Sequence, residues 1–300
     1  MTRDPRWLSA RSLLRPDARA GRLSAALVGI PTFESSLSPR SATSTPLAIR
    51  AALERFATFS WPDEIDLADV VDVVDYGDVE QPDGVSGRAR VRAHLAHVDP
   101  RCGLLIALGG DNSMTFAAMS ALAGDALGTW GLITLDAHLD LRDGESNGSP
   151  VRQLLEAGLD GSRVVQAGLA DFSNSAPYAQ DARTAGITIV PRCEMRDQPI
   201  GVAVAHALEV AGAGDRPIYV DIDLDVADRA VVPGCPAAAP GGLSADEVRQ
   251  AARLFARDPR VRAIDVTEID VDRDSDDQRT VRLAALLVLE VLAGYVGRNP

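Results

Sequence analysis

Hydrophobic residues fall along this chain in short unbroken runs, each closed by turn-forming residues and followed by a stretch of helical periodicity. The runs are Ala25–Ile30, Val70–Tyr76, Leu104–Leu108, Gly131–Leu135, Val164–Gly168, Ile187–Val190, Ile218–Leu224 and Ala263–Ile269. Continuous apolar runs, as opposed to alternating ones, belong to strands covered on both faces, which is how parallel sheets read. Helical spacing over Pro46–Phe56, Met114–Leu122, Val202–Ala211 and Ala245–Phe255 supplies the covering layers. The pattern predicts an α/β protein with three αβα layers around a mostly parallel sheet of eight strands. No Gly/Ser-rich linker, composition shift or internal repeat divides the 300 residues, so a single domain over 1–300 is expected.

Composition narrows the function classes. A net charge of −13 opposes nucleic-acid phosphates and anionic lipid, so neither is an expected partner. No apolar run is long enough to span a bilayer, and the N-terminal stretch mixes Asp with Arg and lacks an apolar signal core. The three cysteines, Cys102, Cys193 and Cys235, are odd in number and widely spaced, which fits a reducing cytoplasm better than a disulfide framework or a zinc ribbon.

Ligands of open parallel sheets sit beyond the carboxyl ends of the strands, so the polar residues closing each run carry the chemistry. Leu104–Leu108 is followed by Gly109-Gly110-Asp111-Asn112-Ser113, and Gly131–Leu135 by Asp136-Ala137-His138-Leu139-Asp140. The run at Ile218 holds Asp221, Asp223 and Asp225 and continues through Asp228 to Pro233-Gly234, while the last run ends Thr267-Glu268-Ile269-Asp270. On an extended chain Asp136, His138 and Asp140 project to one side, as do Asp223 and Asp225. Carboxylates with one imidazole suit a hard or borderline divalent ion such as manganese. Gathered without a cation, they would repel one another. A lone D-x-D is usually an ordinary turn; two such clusters, one with an internal His and both at strand ends, point to a metal centre.

The ordered set GGDNS, DAHLD, DIDLDVADRAVVPG and VTEID resembles the signatures of the ureohydrolases, the family of arginase, agmatinase and formimidoylglutamase. Pro46–Arg50 before the first long helix is similar to that family's N-terminal region, so the resemblance covers nearly the whole chain. It implies the arginase-like fold and two Mn(2+) ions per subunit. Asp136 and Asp223 would bridge both ions, with His138 and Asp225 completing one site and Asp140 serving the other. Counting back from Pro233-Gly234 through Asp228 selects Asp223 and Asp225 as ligands and leaves Asp221 beside them. The implied chemistry is attack of water, acidified by two cations, on the carbon of an amidine or guanidino group. The resemblance also implies Glu268 and Asp140 as the catalytic carboxylates, Glu268 matching the one that holds the substrate's cationic nitrogens.

Two positions depart from the family pattern. Asn112 stands where a ligating His is usual, so the ion it serves is expected to be held more weakly. Asn147 stands where arginases and agmatinases carry a proton-shuttling His, and Ser146–Pro150 is closest to the Ser-Gly-Thr-Pro of formimidoylglutamases. Asn147, Ser149, Arg142 and Arg152 are therefore the expected substrate contacts, the arginines as clamps for carboxylates. The expectation is hydrolysis of formimidoylglutamate to glutamate and formamide, by a homo-oligomer (trimer or hexamer). The alternatives are an agmatinase-like hydrolase releasing urea and a non-catalytic member with a degraded metal site. Of the remaining histidines, His94 and His97 read as solvent-facing helix positions, and His206 as packing. Asp270–Asp277 reads as a solvated turn.

Overall fold

The computed structural model describes residues 4, 6–38 and 43–298, so residues 1–3 and 5 of the N-terminal stretch lie outside it. Nine parallel strands form one sheet: β1 (Leu14–Arg15), β2 (Leu23–Ile30), β3 (Val71–Asp78), β4 (Leu104–Gly109), β5 (Gly131–Leu135), β6 (Val164–Leu169), β7 (Thr188–Pro191), β8 (Ile218–Asp223) and β9 (Val261–Thr267). Their spatial order is β1-β3-β2-β4-β9-β8-β5-β6-β7. Eight strands coincide with the apolar runs. The ninth, β1, is two residues long, too short to leave a pattern, and corrects the expected count by one.

Helices cover both faces. On one lie α1 (Thr45–Ala52), α6 (Ile200–Ala211), α7 (Ala245–Arg257) and α8 (Arg279–Val296), packed through Ile49, Val204, Phe255 and Leu287. On the other lie α2 (Gly84–Leu95), α3 (Ser113–Ala123), α4 (Pro150–Glu156) and α5 (Ala176–Thr184), packed through Val91, Met119, Leu154 and Ala182. Helix starts follow side-chain chemistry. Ser244 and Glu247 form a reciprocal capping box on α7, and Pro150 occupies the first turn of α4, where a missing N–H is harmless. The Asp270–Asp277 turn does more than face solvent: Asp270 is buried, and Asp274 accepts from the backbone N–H groups of Thr280 and Val281 at the start of α8. No helix among the described residues is long and apolar enough to cross a membrane.

The short edge strand β1 is secured by charge. Asp72, fully buried at the start of β3, pairs with Arg15, Arg19 and Arg22 at 3.3, 2.5 and 3.2 Å. Burial works against its charge, but hydrogen bonds from Arg19 prevail and hold the carboxyl below its ordinary range. Asp72→Ala is expected to destabilise the protein by about 3 kcal/mol in urea denaturation, the low end for breaking a buried pair, because Arg15 and Arg19 keep access to water. With the folded pKa depressed, this contribution is present at all pH values above the ordinary carboxylate range and is lost only in acid.

Candidate functional site

The polar residues beyond the apolar runs come together at the carboxyl ends of the four central strands, β4, β9, β8 and β5. Beyond β4 the chain turns directly into α3. A Cβ on Gly109 would lie 2.4 Å from Met114 Sδ and 3.2 Å from Thr267 Cγ2, so glycine lets this turn close against β9 and buries Asn112 at the helix start. Beyond β5 the segment Asp136–Asp140 has no regular structure and is pinned by two amides. Asn174 accepts from Leu139 N at 2.8 Å and donates to the Ala137 carbonyl at 3.0 Å, while buried Gln166 donates to the Leu139 carbonyl at 2.7 Å. Beyond β8, Asp223 accepts from the Asp225 N–H at 2.8 Å, and Asp225 accepts from the Ala137 N–H at 3.1 Å, tying the two loops together. Asp140 and Glu268 sit at φ +50° and +62°, conformations that cost roughly 1–3 kcal/mol each and turn their side chains inward at the strand ends.

One donor atom each from Asp136, His138 and Asp225 lie within 4.8 Å of one another. His138 Nδ1 is 2.7 Å from Asp225 Oδ2 and 3.6 Å from Asp136 Oδ1. Asp140, Asp223, Asp225, His138 and Glu268 line one cavity of about 300 Å³, and Asp136 is fully buried beneath it. Burial, reinforced by the charge of Asp225, raises the Asp136 carboxyl to about 7. Burial and then the neighbouring carboxylates push Asp140 and Asp223 well above the ordinary range. At His138 burial opposes the imidazolium, but hydrogen bonds to Asp136 and Asp225 outweigh it and push the ring up to about 12. Burial works against the Asp225 charge too, yet the His138 hydrogen bond holds that carboxyl low. Every carboxylate here asks for positive charge, and Asp136 Oδ2 is buried with no hydrogen-bond partner among the described residues. Oxygen donors, one imidazole and an orphaned carboxylate oxygen fit a divalent cation of the manganese type.

The four expected substrate contacts separate into two pairs. Asn147 and Arg142 line the cavity. Asn147 donates to Glu268 Oε1 at 2.8 Å and accepts from the Leu37 N–H at 2.9 Å, so it links Glu268 to the 35–37 loop. The Arg142 side chain lies over Gly148 at the mouth, exposed, with no ion pair among the described residues. Ser149 does not line the cavity. Its hydroxyl is buried in its own turn, accepting from the Ser146 N–H and donating to the Ser146 carbonyl, both at 2.8 Å. Arg152 also points away, donating to the Leu141 carbonyl and lying over the Tyr178 ring. Both are corrections: proximity in sequence to the loop does not give side-chain direction. Asn112 is placed at the site, but its amide nitrogen, not its oxygen, faces Asp140 Oδ2, at 2.5 Å. Asp221 is buried below the ligands, opposite Asp265 on β9. His97 is exposed but lies just past the end of α2, His94 is half-buried rather than solvent-facing, and His206 faces solvent instead of packing. Asn174 and Gln166 carried no motif, and their roles emerge only from the tertiary contacts.

A family model described as the arginase family matches residues 23–294. The chain belongs to the arginase family. Within it, the chain is 35% identical over 277 residues to the formimidoylglutamase of Halalkalibacterium halodurans, covering 89% of this chain and 86% of that one. The solved structure of formimidoylglutamase from Bacillus subtilis superposes with a TM-score of 0.89 at 30% identity, over 98% of this chain and 94% of the other. A formiminoglutamase of Trypanosoma cruzi solved with Mn2+ gives 0.84 at 23% identity, over 92% and 94%, a likeness of fold. Members of this family hydrolyse C–N bonds.

Proposed function

We propose that this arginase-family enzyme hydrolyses formimidoylglutamate to glutamate and formamide, using two manganese ions per subunit. Asp136 and Asp223 would hold both ions, His138 and Asp225 one, and Asp140 and Asn112 the other. Bound there, the ions supply a water acidified enough to attack at neutral pH. The chain's own residues do the positioning. Glu268 receives the amidinium, with Oε1 fixed by the Asn112 N–H at 3.0 Å and the Asn147 amide at 2.8 Å. A planar cation facing a fixed carboxylate presents its carbon in one orientation. Water adds to that carbon, the bond to the glutamate nitrogen breaks, and the departing amine takes up a proton while formamide keeps the oxygen.

The observation that carries this choice of substrate is Arg142. An acidic floor and, at the mouth, an arginine with no ion pair among the described residues fit a molecule that is cationic at one end and carboxylate-bearing at the other. Agmatine, cationic at both ends, would bring its ammonium against Arg142. The identity to formimidoylglutamases and the manganese of the Trypanosoma cruzi protein support the same reading. Manganese-loaded protein is expected to release formamide and glutamate from formimidoylglutamate, and urea release from agmatine at a higher rate would refute the assignment. Arg142→Ala is expected to raise KM about tenfold with kcat little changed, since an exposed charge-assisted hydrogen bond is worth about 1.5 kcal/mol. A single domain, a homo-oligomer and a cytoplasmic setting belong to the same proposal, the last supported by the free thiols of Cys102, Cys193 and Cys235.

A further inference from the structure

The geometry points to Asn112 as a two-position amide: its side chain turns over when a cation binds beside Asp140, and Thr115 and Thr267 act as positioning residues that make both positions satisfied. This rests on the metal reading proposed above and adds to it a state of the ligand itself.

The argument is a count of protons. In the arrangement described, Asn112 Nδ2 donates to Asp140 Oδ2 at 2.5 Å, while Asn112 Oδ1 lies 2.8 Å from Thr115 Oγ1 and 3.4 Å from Thr267 Oγ1. Each hydroxyl stands between two acceptors. Thr115 Oγ1 is also 2.8 Å from Asp265 Oδ2, and Thr267 Oγ1 is also 3.4 Å from Asp221 Oδ1. A hydroxyl has one proton and must choose. With the amide oxygen facing them, both hydroxyls can donate to Asn112, and the amide N–H groups lend positive charge to Asp140.

A cation beside Asp140 would meet those N–H groups head-on. Turned by half a rotation, Asn112 presents its oxygen to the cation, and its NH₂ takes the place the oxygen held. Both N–H groups then find hydroxyl oxygens, and both hydroxyl protons swing to carboxylates, Thr115 to Asp265 and Thr267 to Asp221. Every donor again has an acceptor. Asp265 is held ready for this by the Tyr219 hydroxyl, 2.6 Å from the same Oδ2. Asn112, Thr115, Thr267, Asp221 and Asp265 are all buried, so water does not substitute for any of these bonds. In the turned position with no cation, the amide oxygen would abut the oxygen of an ionised Asp140, so orientation follows occupancy wherever that carboxyl carries its charge.

Neutron diffraction on deuterated crystals locates the amide deuterons directly. Protein stripped of metal is expected to show one on Asp140. Manganese-loaded protein is expected to show both facing Thr115 and Thr267, with the hydroxyl deuterons on Asp265 and Asp221. Two bound ions with an amide deuteron still on Asp140 would overturn the inference and leave the metal reading standing, while a protein that takes up no manganese would overturn both. In solution, Thr115→Val is expected to weaken the ion that Asn112 touches by about 10–100-fold in calorimetric manganese titration, the usual range for losing a residue that orients a ligand. The other ion should change by less than about threefold, as should both ions in Thr115→Ser, which keeps the hydroxyl. No weakening by Val, or equal weakening by Val and Ser, overturns the inference.

Discussion

Glu268→Gln is expected to lower kcat/KM for formimidoylglutamate by about 100-fold or more while leaving manganese content unchanged. The substitution is nearly isosteric, and the glutamine carbonyl can keep both bonds that now reach Oε1, from the Asn112 N–H at 3.0 Å and the Asn147 amide at 2.8 Å. The loop contacts therefore survive, and so does the backbone at φ +62°. What changes is the other end of the side chain, where an NH₂ replaces a carboxylate oxygen and faces the substrate's own N–H donors. Loss of a charge-assisted hydrogen bond accounts for about 1.5–3 kcal/mol, and an amidinium carbon no longer held in one orientation adds to that loss. Steady-state kinetics with metal analysis of the same preparation checks both halves. A Gln variant with unimpaired kcat/KM would show that the substrate docks elsewhere.

The sheet was legible because strands buried on both faces have no reason to alternate, so their apolar runs stand out between polar turns. Strand ends were less so. The run through Leu224 stops in the structure at Asp223, whose side chain takes the Asp225 N–H and starts a 3-10 turn, and the run through Ile269 stops at Thr267, where Glu268 enters the left-handed region. Both endings are set by polar side chains rather than by hydrophobicity. The edge strand Leu14–Arg15 owes its place to pairing with Val73–Val74 and to the charge of Asp72, neither of which is local in sequence.

The metal-type residues were legible for a related reason: each lies within a few positions of a strand end, and topology brings those ends to one point. Asn147 and Arg142 followed from the loop they share. Ser149 and Arg152 did not, because helix α4 begins between them. Ser149 turns into its own capping turn, and Arg152 folds back onto the Leu141 carbonyl. The amides that hold the DAHLD segment, Asn174 and Gln166, come from the β6 strand and the loop after it. Likewise the facing of the Asn112 amide depends on Thr115 one helical turn on and on Asp265 and Thr267 from another strand. Such partners are set by which strands are neighbours, and no spacing encodes that.

Manganese affinity is expected to rise by roughly 100-fold or more between pH 6 and pH 8, because the ligands must shed protons to bind. His138, pushed up to about 12, holds its proton across this whole range and must release it to ligate through nitrogen. That release alone makes affinity rise about tenfold per pH unit. Asp136, raised to about 7, and Asp140 and Asp223, raised well above the ordinary range, hold further protons that the cation must displace. Calorimetric titration in two buffers of different ionisation heat reads the proton release directly. The same shifts fix the sign of stability without metal. Both groups have folded pKa values above their unfolded ones, so their contribution is greatest in acid, and it declines as pH rises, for Asp136 from the ordinary carboxylate range to about 7 and for His138 from about 6.5 upward. Added manganese should accordingly raise the melting temperature more at pH 8 than at pH 6. An affinity flat across this range would show that the cation does not displace these protons, and the ligand assignment of Asp136 and His138 would fall with it.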